Sequence, residues 1–379
     1  MLSAMDGTDA IDAAARSRST VVDDWQPRAD DWLRRGPSRF AGKAVRPLLV
    51  GACPRSGTTL LRALLNNHPD FAMPAETNFV LPLWGDRAHF GDLREESNRR
   101  RIAEWIFDAE GRGGRRIRAN VFERDEAVAR VLAAPPTLGS IFAALFEMYA
   151  EAKGKRRWGD KRPGYAGYVD ALLALFPDAQ FVNVIRDPRA ACASQAQLGW
   201  YSEKPRPRMA AALATWLTAV RRVDRSARRL RSDQLLDIRY EDLVRDPRAT
   251  LERVCEFAGL RTGDAIDEMI TRPRRGVYDP GHQERLSEPI TTAPVEGWRE
   301  RLEPPEQALI EHAAADYFER FGYRRECEPG TRPPKYDLKL LGERLAYRRK
   351  KYRRYELREL ARRHVTYRRP VAAVSSVES

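Results

Sequence analysis

Cysteine is scarce in this 379-residue chain. Its four cysteines, Cys53, Cys192, Cys255 and Cys327, stand far apart with no CxxC pair, which excludes a zinc ribbon and a disulfide scaffold. They read as isolated thiols of a reducing compartment. Long apolar runs are missing too: no window approaches the roughly 18 uninterrupted apolar residues of a spanning helix. The opening residues, MLSAMDGTDAIDAAARS, bring acids early and no apolar stretch, which argues against a secretory signal. The expectation is a soluble, cytoplasmic protein. No repeat recurs at a fixed period, and no Pro/Gly/Ser linker divides the middle of the chain. With 42% hydrophobic residues, one large α/β core with appendages is within reach.

Negative charge is short only at one end. Residues 331–379 carry 15 Lys and Arg against 5 Asp and Glu, leaving +3 of the net +13 for residues 1–330. So balanced a body argues against a general nucleic-acid binder, and no specific nucleic acid is expected as a partner. The tail, KLLGERLAYRRKKYRRYELRELARRHVTYRR, mixes Leu and Tyr with dense cations. Three readings fit it: a helix in peripheral contact with an anionic membrane, a site for an acidic acceptor, or a packed helix with a solvated face. The last is the plainest. The chain thus divides into a flexible arm (1–44), a core domain (45–330) and a basic helical tail (331–379).

Within the core, RPLLVGA (Arg46–Ala52) is a short apolar run bounded by Pro47 and the Pro54–Gly57 turn, as suits a buried parallel strand. TTLLRALLNN then puts Leu60, Leu61, Leu64 and Leu65 on one helical face until His68-Pro69 stops it. Helical patterns fill residues 92–153. RRWGD and AQFVNVIR read as strands separated by the helix GYVDALLALF. A helix starts near Pro188 and a long one spans about 209–230. LLDIRY reads as a strand, with a new helix after Asp246-Pro247. This alternation predicts an α/β fold, three layers with a central parallel sheet flanked by helices, and ligands beyond the strands' carboxyl ends.

The motifs fall at those ends. GACPRSGTTLL is a strand–loop–helix of phosphate-binding form: Gly57 permits close backbone approach, the amides from Ser56 to Leu60 open the helix, and Thr58 and Thr59 add hydroxyls. Thr58 follows Gly57 where a nucleoside-triphosphate loop needs Lys, and LLDIRYEDL offers no convincing magnesium-holding Asp. The cation precedes the glycine, as Arg55. The loop suits a phosphate ester held without a metal; the structural alternative is a turn that caps a helix. In IRDPRAACAS, Arg186 leaves a strand and Ser194 follows eight residues later, a pair suited to gripping a second phosphate. Alternatively, Arg186 pairs with Asp187 on the surface and Ser194 faces the core. WGDKRPGY places Lys161 in a charged cluster that could equally be solvated. IRYEDLVRDP sets Tyr240 after a strand, where a core role fits as well.

LVGACPRSGTTLLRALLNNHPDFAMPAET resembles the opening of the PAPS-dependent sulfotransferases (PAPS, 3′-phosphoadenosine 5′-phosphosulfate), in the branch of the protein-tyrosine sulfotransferases and their bacterial relatives. The resemblance covers roughly residues 46–325, with later motifs in the family's order. It implies a P-loop-like fold, PAPS as sulfuryl donor, no metal, and a hydroxyl-bearing acceptor such as a sugar, lipid, phenol or peptide tyrosine. It implies that Arg55 and the residues from Ser56 to Leu60 hold the 5′ end of the nucleotide, and that Arg186 and Ser194 hold the 3′-phosphate. Tyr240 then lies near the nucleotide and Lys161 near the transferred group. Glu76, 21 residues after Arg55 in PAET, matches the general base; the alternative is a cap for the helix after Thr77. His68 is a second candidate base, although a His-Pro at a helix end more often ties a turn. PITTAPVEGWRERL resembles the late loop that closes over the cofactor. Here Thr292-Ala293-Pro294 replace a lysine of the protein-tyrosine branch, and Trp298 is read as packing. The acceptor pocket is expected from residues 78–155 and 200–210.

Overall fold

The computed structural model describes residues 39–40, 43–44, 46–74, 77–107, 124–198, 201, 204–274, 286 and 288–364. An antiparallel pair, β1 (Arg39–Phe40) and β2 (Lys43–Ala44), precedes the core. The main sheet holds β3 (Leu48–Ala52), β4 (Phe71–Ala72), β5 (Arg157–Lys161), β6 (Gln180–Ile185) and β7 (Leu235–Arg239), in the order β4-β5-β3-β6-β7. Every neighbouring pair is parallel.

The connections are helical. α1 (Thr58–Asn66) follows β3. α2 (Val80–Asp86), α3 (Glu96–Phe107), α4 (Arg124–Ala133) and α5 (Leu138–Glu151) lie between β4 and β5. A 3-10 turn at Pro163–Gly167 and α6 (Val169–Leu175) lead to β6, followed by α7 (Pro188–Ala196) and α8 (Pro205–Ala227). After β7 come α9 (Tyr240–Arg245), α10 (Pro247–Ala258), α11 (Asp264–Thr271), α12 (Ala293–Glu296), α13 (Pro304–Ala313), α14 (Ala315–Arg320) and α15 (Lys335–His364). Two Asp-Pro pairs start helices by one mechanism. Asp187 and Asp246 accept the amides of Arg189 (2.8 Å) and Ala249 (3.0 Å), and the following proline needs no donor in the first turn.

β3 and β6 are buried along their whole length. Their side chains alternate between two cores, as a strand's period of two requires. Leu48, Val50 and Ala52 join Val182 and Val184 under α1, α10 and α11, while Leu49 and Phe181 face the core of α2 to α6. There Trp158 stacks on Phe146 with centroids 4.7 Å apart. A third cluster, around Trp216 and Phe318, joins α7 and α8 to α13, α14 and α15. The result is the three-layer α/β fold, a parallel sheet between two helical layers.

The basic tail is mostly one helix, α15, laid along the body. Trp84 Nε1 donates to Tyr355 Oη at 3.1 Å, Arg87 is paired with Glu359 at 2.6 Å, and Arg225 reaches Glu356 at 2.9 Å. Tyr352 is buried beneath the Arg222 guanidinium, 4.6 Å from its ring. Membrane contact through the tail is not supported, because Leu341, Tyr352 and Tyr355 are turned into the protein. The opposite face, with Arg349, Lys350, Arg353 and Arg354, is exposed. Among the described residues no helix is long and apolar enough to cross a membrane.

Candidate active site

Strand order assembles the site. β3 lies between β5 and β6, so the loop after Ala52 emerges between Lys161, opposite Val50 on β5, and Arg186, which follows β6. Tyr240 follows β7, whose Arg239 lies opposite Ile185. Three strand ends thus deliver three polar side chains to one loop.

The loop itself is sharply bent. Arg55 has φ 70°, the one positive value at a non-glycine among the described residues, a conformation that costs a side-chain-bearing residue about 1 kcal/mol. Gly57 has φ 88°, and a Cβ there would lie 2.2 Å from the Tyr240 ring. Glycine is therefore required twice, by backbone conformation and by close packing. Helix α1 begins at the next residue, with no side-chain cap and no acid in its first turn. Its positive end is left for an anion. Ser56 is fully buried in this loop, and its Oγ makes no hydrogen bond among the described residues. Thr58 is buried, Thr59 and Leu60 half-buried.

Arg186 is 8% exposed and is no surface partner of Asp187. Its Nη1 donates to the Arg55 carbonyl at 2.8 Å and its Nη2 to the Pro294 carbonyl at 2.6 Å. Its guanidinium lies 4.5 Å over the Tyr240 ring, while its buried Nε has no acceptor among the described residues. Burial lowers its pKa, as expected of a cation withdrawn from water. The backbone is fixed as well: Trp216 Nε1 donates to the Arg186 carbonyl at 3.0 Å, and the Asp187 amide donates to Glu241 Oε1 at 2.9 Å. Asp187 instead binds Arg189 at 2.7 Å, and Arg189 also reaches Glu311 at 2.8 Å. Ser194 Oγ accepts from Arg55 Nε at 3.1 Å, so the helix after β6 also touches the loop.

Lys161 is 2% exposed, which removes the solvated-cluster alternative. Its Nζ donates to Thr59 Oγ1 at 3.5 Å. His68 ties down a turn: Nδ1 accepts the Asp70 amide at 3.0 Å and Nε2 lies 3.1 Å from the Arg261 carbonyl. Trp298 packs under the Arg189 guanidinium, 4.0 Å away. Glu76 lies outside the described residues.

Sequence reasoning missed the supports. Asp160 is fully buried and accepts from Thr77 Oγ1 at 2.6 Å and from the Tyr165 hydroxyl. Burial pushes its pKa up to about 6 against these hydrogen bonds. Arg62, also buried, donates to the Met73 carbonyl at 3.2 Å. Glu241, beside Tyr240 in the sequence, was visible only as part of a motif. A charged residue inside an apolar helical face, as Arg62 is in LLRALL, was the available signal.

The geometry fits an anionic ester: a strained loop, an uncapped helix start, a buried hydroxyl with no partner among the described residues, and a cation held by two carbonyls and a ring. Residues 47–264, more than half of the chain, match the sulfotransferase family. The chain is 28% identical over 298 residues to the nodulation protein NoeE of Sinorhizobium fredii, covering 73% of this chain and 65% of that protein. It is 25% identical over 274 residues to a protein-tyrosine sulfotransferase of Drosophila melanogaster, covering 69% and 48%. It therefore spans less than two thirds of the length of either relative. The sulfotransferase domain of the Synechococcus PCC 7002 olefin synthase superposes with a TM-score of 0.53 at 26% identity, over 74% of this chain and 96% of that domain. Site geometry, fold and sequence agree that this chain belongs to the sulfotransferase family.

Proposed function

We propose that this chain transfers a sulfuryl group from PAPS to a hydroxyl of its acceptor. When bound, PAPS supplies an activated sulfuryl group whose leaving group is adenosine 3′,5′-bisphosphate. The observation that carries the reading is a pair of buried donors with no acceptor among the described residues, Ser56 Oγ in the loop and Arg186 Nε beside it. Buried polar groups are normally satisfied, so the pair is best explained by an anion.

In this reading the amides from Ser56 to Leu60, with Thr58, Thr59 and Arg55, hold the 5′ end. Arg186 and Ser194 take the 3′-phosphate, and the Tyr240 ring supports the nucleotide. Arg55 and Lys161 oppose the negative charge that grows on the leaving oxygens; a guanidinium keeps its charge at any working pH. Glu76 receives the acceptor's proton. The acceptor class is a hydroxyl-bearing molecule, consistent with a relative named for protein tyrosine.

Calorimetry with adenosine 3′,5′-bisphosphate tests the reading. The wild type binds it, and Arg186→Ala weakens it by about 100-fold, the cost of truncating one side of a buried charged contact. Adenosine 5′-phosphosulfate, which lacks the 3′-phosphate, loses less than about threefold because the removed contact is not used. Absence of bisphosphate binding, tighter binding of ATP with magnesium, or equal losses for both nucleotides would overturn it.

A further inference from the structure

The segment between β4 and α2 carries Glu76, and its two flanks are fastened to different parts of the site. At its start, the Met73 amide donates to Asn66 Oδ1 at 3.0 Å and the Met73 carbonyl accepts from Arg62 at 3.2 Å. Asn66 and Arg62 both lie on α1, the helix that rises from the phosphate loop. At its end, Thr77 is 1% exposed and donates to Asp160 Oδ2 at 2.6 Å. The residue after Asp160 is Lys161, which reaches Thr59 in the first turn of the same helix. The Tyr165 hydroxyl adds a second donor to Asp160 Oδ2 and ties the 3-10 turn after β5 into the cluster.

A carboxylate is an expensive way to make these contacts. Asp160 is 0% exposed, and its Oδ1 has no hydrogen-bond partner among the described residues. In return, one charged oxygen accepts two hydroxyl donors from different elements, and such charge-assisted bonds are shorter and stiffer than neutral ones. An enzyme that needs a base and a cation in fixed relation gains from that stiffness, since a 1 Å displacement can cost on the order of 10²-fold in rate.

We propose that Asp160 is a positioning residue: by gripping Thr77, the residue that follows the proposed base in the sequence, and Tyr165, it fixes the start of the segment leading to α2 and the Lys161 end of β5 in one relation to the phosphate loop. The proposal rests on the sulfotransfer reading for its consequence in catalysis, but not for the existence of the clamp.

The test uses full-length protein carrying Thr77→Val, which keeps the side chain's size and removes the donor, Thr77→Ser, which keeps the donor, Asp160→Ala, and the Thr77→Val/Asp160→Ala pair. Hydrogen–deuterium exchange is followed in peptides covering 77–83 and 161–167, with 180–185 as the internal reference. Thr77→Val raises exchange in the first two about tenfold, the opening expected from one lost buried hydrogen bond, and leaves the reference unchanged. With PAPS as donor, kcat falls by on the order of 10²-fold while KM for PAPS moves less than about threefold. Thr77→Ser restores both readings, and the double variant loses no more than the worse single one, because both changes break one contact. Unchanged exchange in Thr77→Val removes the clamp. Raised exchange with unaltered kcat, or single losses that multiply in the double variant, removes the positioning role. A wild type that binds no adenosine bisphosphate defeats the sulfotransfer reading instead, and the exchange data still decide whether the clamp exists.

Discussion

Arg186, just past the carboxyl end of β6, and Arg353 on α15 carry the same group in opposite settings. Arg186 is 8% exposed and tied to two carbonyls and a ring, while Arg353 stands in water with Arg349, Lys350 and Arg354. Residues 331–379, where these exposed cations stand, carry +10 of the net +13. A solvated cation is screened within about 10 Å at ordinary ionic strength, whereas a cation already stripped of water acts at close range without reorganising. The location of charge and the location of function are therefore separate questions here, and the nearly balanced body holds the candidate site.

The hardest way to break this contrast is to remove a held cation. Arg55→Ala lowers kcat by about 10²–10³-fold, the usual loss for one stabiliser of developing charge. Arg55→Lys recovers part of it, because an ammonium restores charge but not the planar donor that meets Ser194 Oγ at 3.1 Å. Steady-state kinetics decides, and a loss below tenfold for the alanine variant would place Arg55 among the solvated cations.

Asp160 extends the contrast to a buried anion. Its folded pKa, about 6, lies above the ordinary 3.8, so the folded protein takes up its proton more readily than the unfolded chain does. Relative to a neutral side chain, folding is unhindered by this group below about pH 4 and loses ground as pH rises through 6. The displacement corresponds to about 3 kcal/mol. Asp160→Asn, which keeps an acceptor for Thr77 and Tyr165, should match the wild type's Tm near pH 4 and exceed it by several degrees at pH 7.5. A gap that does not change with pH would mean that the buried carboxyl is not the titrating group.

What the sequence disclosed follows the same division. β3 was legible because LLVGA is buried on both faces and runs apolar throughout, and the helix starts at Asp187-Pro188 and Asp246-Pro247 were legible because the caps are local. The loop, Arg186 and Tyr240 could be located because each lies at the end of a strand. β4 was not legible: two residues, Phe71 and Ala72, show no period. Nor was the burial of Asp160 and Lys161, since a charged pair in sequence looks solvated until the neighbouring strand covers it. α15 hid its packing stripe for a specific reason. Leu341, Leu345, Arg348, Tyr352, Tyr355 and Glu359 recur at spacings of four and three, as in a helix-packing seam. Arg348 and Glu359 are two of them, satisfied by Thr215 at 2.5 Å and by Arg87, so the apolar pattern is broken where polar partners wait on the body.

The smallest effect tests the outer face of that helix. Replacing Arg349, Lys350, Arg353 and Arg354 by Gln together removes four charges without touching the seam. Exposed charges of this kind contribute within about 0.5 kcal/mol each. Tm should therefore move by no more than a degree or two, and kcat/KM by less than about twofold at 150 mM salt, where the Debye length is about 8 Å. A tenfold fall in kcat/KM that disappears as salt is raised would mean that these cations draw an acidic acceptor to the enzyme. The separation of charge from function would then fail on the surface while holding in the core.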